Sequence, residues 1–114
     1  KLQLKDGSYL FETVLKEASK WGSPENLMYV VGATNAASLT QIRAIIPDHF
    51  LLIPGIGAQG GDIQEVITKG KNSEIGLLIN VSRSIIYASN GEDFSLKAQE
   101  EAKNINAQYQ SLLG

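Results

Sequence analysis

The chain has 114 residues, 43% of them hydrophobic and 19% charged, a composition that supports one compact domain and excludes a disordered tail. Ten Lys and Arg against twelve Asp and Glu give a net charge of -2 and a pI near 5.3, so no basic surface is on offer to nucleic acid or anionic lipid. The absence of Cys and the single His49 exclude a disulfide framework, a thiolate nucleophile, a Cys-bearing zinc site and a multi-His metal centre.

No apolar run approaches the length of a membrane span, and the opening KLQLKDGSYL lacks the apolar stretch of a signal peptide. The expectation is a soluble, cytoplasmic protein with no membrane partner. The sequence starts at Lys1 and opens on polar residues without a strand, which leads us to expect that an N-terminal portion is missing.

Over residues 8–21 the apolar side chains Leu10, Phe11, Val14, Leu15, Ala18 and Trp21 recur at helical spacing. Ser8 stands where an N-cap belongs, with Gly22 as a left-handed stop and Pro24 beyond it. Residues 27–31 (LMYVV) are too few for a helix and rich enough in β-branched types for a buried strand. Helical spacing then returns, with Thr34 or Asn35 as cap, Leu39, Ile42, Ile45 and Ile46 facing the core, and Pro47 closing the helix. Residues 50–53 (FLLI) read as a second strand, followed by PGIGAQGGD and a short helix with Ile63, Val66 and Ile67 inward and Gly70 at its end. Residues 77–81 (LLINV) form a third. After SRSIIYASNGE a last helix starts near Asp93, with Ala98, Ala102, Ile105, Tyr109 and Leu112 at spacings of three and four. The βα units thus span about 27–46, 50–69 and 77–113, after a helix at 8–21. Trp21, Met28, Tyr29 and Tyr109 read as packing residues, and Lys97, Glu100, Glu101 and Lys103 as a solvated helix face.

Strands that are apolar at nearly every position, alternating with helices, form a parallel sheet covered by those helices, which makes this an α/β protein. Three strands alone leave two open parallel edges, which natural proteins seldom do. Ligands in such folds sit at the carboxyl ends of strands, which directs attention to the loops beginning at Gly32, Pro54 and Ser82. The first, GATN, reads as an ordinary tight turn. The second places Gly55, Gly57, Gly60 and Gly61 within seven residues, so its backbone N–H groups can approach an anion closely. The third puts Arg83 between two hydroxyls, Ser82 and Ser84, where a guanidinium can take phosphate oxygens in a bidentate grip.

The glycines at 55, 57 and 60 also fit G-x-G-x-x-G, a pattern that is weak by itself. A dinucleotide site should show an acid about twenty residues further on, but Asn80 stands near there and no acid follows before Glu92. NAD is disfavoured, and NADP held by Arg83 stays open. In a (β/α)8 barrel, by contrast, the loops after the seventh and eighth strands form the phosphate site together. His49 invites a triad with Ser82 or Ser84, but it lies at a strand's amino end, away from those loops.

The segments YVVGAT, LIPGIGAQGGD and INVSRSIIYA resemble the last three strand–loop units of orotidine 5′-phosphate decarboxylase, best its bacterial long-chain subgroup, over about residues 8–110. The resemblance implies a (β/α)8 TIM barrel, of which this chain supplies the last three βα units and the preceding helix. It further implies a homodimer that converts orotidine 5′-monophosphate to UMP and carbon dioxide without metal or organic cofactor. Residue by residue, Gln59 resembles the glutamine that spans phosphate and pyrimidine, and Arg83 the arginine that grips the phosphate. Ser82 would lend its backbone N–H, Pro54 and Ile56 would line the pyrimidine, and Gly57 and Gly60, with Gly55 and Gly61, would let the loop close.

The family's Asp-x-Lys-x-x-Asp stretch, whose lysine protonates the carbon losing carbon dioxide, is absent from these residues. No catalytic residue is therefore expected in this chain, and Lys5, Asp6 and Asp62 do not replace it. A phosphate-binding α/β module, or an inactive half-barrel, is the alternative expectation.

Overall fold

Apolar residues at helical spacing alternate with short β-branched runs along the chain, and each kind becomes its own element. The computed structural model describes residues 1–57 and 60–114. In chain order these are α1 (Leu10–Ala18), β1 (Tyr29–Val30), a 3-10 helix (Ala33–Ser38), α2 (Leu39–Ile45), β2 (Leu51–Pro54), α3 (Ile63–Gly70), β3 (Leu77–Asn80), α4 (Arg83–Ile86) and α5 (Phe94–Leu113). The strands form one parallel sheet in the order β1-β2-β3. Its register pairs Val30 with Leu52 and Leu52 with Leu78.

The expected helices and strands are present in the expected order, and the differences lie at element ends and in two added short elements, the 3-10 helix and α4. Helix α1 is shorter than 8–21. Tyr9 is its N-cap, with the Glu12 carboxylate accepting the Tyr9 N–H at 2.8 Å. Ser8, the expected cap, instead donates its N–H and hydroxyl to Asp6 at 3.0 and 2.6 Å, bracing a turn at Gly7. Those bonds favour the charged carboxylate and hold the Asp6 pKa below its ordinary value.

The helix closes by tightening turns at Ser19, Lys20 and Trp21, not by a left-handed glycine. Gly22 instead leaves room for the Asn26 side chain, whose Oδ1 would lie 2.6 Å from a Cβ there. Trp21 therefore falls beyond the helix, its phase no longer carries it inward, and it is 80% exposed. Met28, just ahead of the β1 ladder, is 48% exposed. Tyr29 and Tyr109 do pack against the core.

After β1 the chain first takes a 3-10 path that kinks at Asn35, with Gly32 as N-cap. Neither Thr34 nor Asn35 caps as expected. Leu39, Ile42 and Ile46 are buried, as their spacing required. Asp62 caps α3, its carboxylate accepting from Gln64 N at 2.8 Å and Glu65 N at 3.4 Å. The D-x-x-E spacing of Asp62 and Glu65 was a legible capping signal. Gly70 ends α3 without a left-handed turn, and a Cβ there would come within 3.2 Å of Leu39 and 3.3 Å of Leu77. Within the stretch read as a loop, residues 83–86 form the single turn of α4.

Helices cover one face of the sheet. Leu51 and Ile53 are fully buried while Leu52, between them, is exposed, the period-two alternation of a strand with one covered face. Val30, Leu52 and Leu78 form an in-register apolar row on the other face, all exposed. The expectation of a sheet covered by helices thus holds on one side only among the described residues.

At the amino ends of the strands Arg43 gathers the chain. Its Nε donates to the Gly70 carbonyl, Nη1 to those of His49 (2.6 Å), Ile46 (3.3 Å) and Pro47 (3.4 Å), and Nη2 to that of Gly76 (2.8 Å). One planar fork therefore joins the ends of α2 and α3 to the entries of β2 and β3. Burial pushes the guanidinium pKa down, with Asp48 opposing. His49 is buried edge-on to Tyr29, ring centroids 5.3 Å apart.

Candidate functional site

The carboxyl ends of the three strands point the same way because the strands are parallel, so the loops after Val30, Pro54 and Asn80 meet at one end of the sheet. Two close approaches hold them together. At Gly61 an added Cβ would sit 2.4 Å from Ala33 Cβ and 2.6 Å from the Gly55 carbonyl oxygen, so only glycine lets the second loop pack on the first. At Gly57 it would sit 3.0 Å from Ser84 Oγ, which brings the second loop against the third. The first loop supports the second from the core side, where the buried Ala33 packs against Gly61.

The glycine loop folds back on itself. Gly57 N–H donates to Gly61 O at 3.2 Å, Gly60 N–H to Gly57 O at 2.8 Å and Gly61 N–H to Gly55 O at 3.1 Å. Gly55, Gly57 and Gly60 have φ of +96°, +76° and +83°, a region open to glycine at little cost. The N–H groups of Gly57 and Gly60, expected to face an anion, thus hold the loop's own shape here. Open space surrounds the Gly60 Cα. Gln59 lies outside the described residues.

Pro54 ends β2 half-buried. Ile56, expected beside a pyrimidine, is buried in the core cluster and anchors the loop from behind. Ser82 precedes α4, its carbonyl accepting from Ile85 and Ile86 N–H at 3.1 and 2.9 Å. Arg83 follows, exposed, and among the described residues no ion pair or side-chain hydrogen bond engages its guanidinium. An exposed guanidinium in the turn that packs on a glycine loop through Ser84 is suited to an anion, best a phosphate that takes two parallel N–H bonds. Behind the loops, Gly57, Ser84, Glu101, Ile105 and Gln108 line a cavity of about 460 Å³ toward α5. His49 lies at the far end of the sheet, just before β2, and takes no part.

No protein-family model matches the chain. An orotidine 5′-phosphate decarboxylase of Phocaeicola vulgatus is 49% identical over 108 residues, which is 95% of this chain and 40% of that protein. The chain is homologous to orotidine 5′-phosphate decarboxylases. It spans about 40% of the length of the curated decarboxylases it matches. Among solved structures, Leishmania donovani UMP synthase aligns with a TM-score of 0.71 and 38% identity over 93% of this chain and 23% of its own. The OMP decarboxylase of the same organism aligns at 0.67 and 33%, covering 93% and 40%.

These decarboxylases are TIM barrels, and the three parallel strands with helices on one face are part of such a barrel. The uncovered row of Val30, Leu52 and Leu78 is then the inward face of a barrel wall. The decarboxylase homology and barrel geometry also give the paired loops after β2 and β3 a simpler account than a dinucleotide fold. No helix among the described residues is long and apolar enough to cross a membrane.

Proposed function

We propose that this chain is the phosphate-gripping part of an enzyme that decarboxylates orotidine 5′-monophosphate to UMP, in pyrimidine biosynthesis. The observation that carries the reading is the junction of the glycine loop and the Arg83 turn at one end of a parallel sheet, in a chain about half identical to proteins named for that reaction. Arg83 holds the phosphate, and the Ser82 N–H adds a main-chain donor. Gly57 and Gly60 allow the ligand to approach the backbone, and Pro54 stands toward the pyrimidine. Gln59, by the resemblance, bridges the two ends of the ligand.

Since Asp-x-Lys-x-x-Asp is absent, the proton donor and its carboxylates belong to the rest of the barrel, in a cytoplasmic homodimer that needs neither metal nor organic cofactor. The phosphate does not react, yet binding it serves catalysis. Energy gained at a remote group can be spent on orienting and desolvating the reacting carbon.

The test is a calorimetric titration with UMP, using NADPH as control and Arg83→Ala as site variant. UMP binding is expected, and Arg83→Ala should weaken it at least about tenfold through loss of a charge-assisted pair. NADPH binding in place of UMP, UMP affinity unchanged in Arg83→Ala, or silence toward both ligands would overturn the proposal.

A further inference from the structure

One hydroxyl at the loop junction is out of balance. Ser84 Oγ is closed off from solvent and has no hydrogen-bond partner among the described residues. Native proteins rarely leave a buried polar atom in that state, and alanine would fill the same space without the desolvation cost. The hydroxyl is closed off from bulk solvent, so a main-chain acceptor beside it is the most direct way to satisfy it.

Gly57 is the glycine against which Ser84 packs. A Cβ on Gly57 would lie 3.0 Å from Ser84 Oγ and 3.5 Å from Ser84 Cβ. The Gly57 carbonyl accepts the Gly60 N–H at 2.8 Å, and a carbonyl oxygen has a second lone pair for another donor. With φ at +76°, the Gly57 backbone occupies a region where glycine reorients at little steric cost.

We propose that Ser84 is a positioning residue for the phosphate site, its hydroxyl donating to the Gly57 main chain once an anion is held by Arg83. This rests on the phosphate reading above. Arg83 and Ser84 are consecutive in the one turn of α4, so a ligand that restrains Arg83 also restrains Ser84 against the glycine loop. Without ligand the two loops touch, and among the described residues they share no bond through this hydroxyl. With ligand, the bond ties the Arg83 turn to the glycine loop, and its free energy appears as affinity for phosphate.

The experiment compares the parent protein, Ser84→Ala and Arg83→Ala in titrations with UMP and with inorganic phosphate, alongside ligand-free melting temperatures. Ser84→Ala is expected to weaken both ligands by the same factor, about three- to tenfold for one neutral hydrogen bond. Its ligand-free melting temperature should equal or exceed the parent's. A merely structural serine would shift the melting temperature downward and leave affinity alone, and that result overturns the inference. Parent-like affinity in Ser84→Ala, with Arg83→Ala weakened, overturns it while leaving the phosphate reading standing. No UMP binding by the parent overturns both.

Discussion

Replacing Arg43 by alanine should destabilise the fold more than any exposed charge would, because this guanidinium serves five carbonyls from four parts of the chain. Its three close bonds, to Gly70, His49 and Gly76, are charge-assisted, a class worth about 1.5–3 kcal/mol each when a partner is left unsatisfied. Their sum overstates the loss for two reasons. The Gly76 carbonyl also accepts from Leu51 N–H at 2.9 Å, and Arg43 is only half-buried, so water can enter the vacated space.

We expect a net loss of about 2–4 kcal/mol, against roughly 5–15 kcal/mol for a typical domain. Urea denaturation followed by circular dichroism should show the midpoint falling by about 1–2 M at an m-value near 2 kcal/mol/M. Arg43→Lys should recover less than half of the loss, since an ammonium cannot span the carbonyls that a planar fork reaches together. A loss below about 0.5 kcal/mol in the alanine variant, or full recovery by lysine, would refute the argument that fork geometry matters.

Three further outcomes are expected. Gly61→Ala drives a methyl into Ala33 and the Gly55 carbonyl, neither of which can swing away, so stability should fall by about 1–3 kcal/mol and UMP affinity with it. Thermal melts and calorimetry check the two effects. Ile75 is the non-glycine residue with positive φ, +77°, among those described; Ile75→Gly should raise stability by about 0.5–1 kcal/mol in urea, strain relief outweighing a half-exposed side chain. Tyr109 is partly buried, donates to the Leu77 carbonyl at 3.3 Å, and has its pKa raised by desolvation. A folded-state pKa above the unfolded value near 10 means its contribution is intact below pH 10 and is lost as pH rises through the folded value. Tyr109→Phe should flatten the alkaline limb of a stability–pH profile, and an unchanged limb would contradict this.

Much of the candidate site was legible in the chain. Strand–glycine–helix order placed Pro54 to Asp62 at a strand's carboxyl end, and the next strand led directly into Ser82 and Arg83, so both loops could be assigned to one end of a parallel sheet. What could not be read was how those loops use their own groups. The Gly57 and Gly60 N–H groups point inward to carbonyls of the same loop, Ile56 turns to the core, and Ser84 is shut in against Gly57. Asp62, at the end of the glycine-rich segment, caps α3, and its spacing to Glu65 is the signal of that role in the sequence.

Hydrophobic period, strand length and turn residues are local properties, and they determined the α/β class, the order of elements and the buried positions Leu39, Ile42, Val66 and Ile67. Other features depend on distances between residues far apart in the chain. Tertiary structure alone decided that Trp21 falls outside the packed helix, that helices cover one face of the sheet, and that Arg43 joins carbonyls from residue 46 to residue 76. It also decided that Gly61 meets Ala33 and Gly57 meets Ser84. A sequence pattern specifies which face of an element is apolar, but only packing decides what that face and the loops beside it will touch.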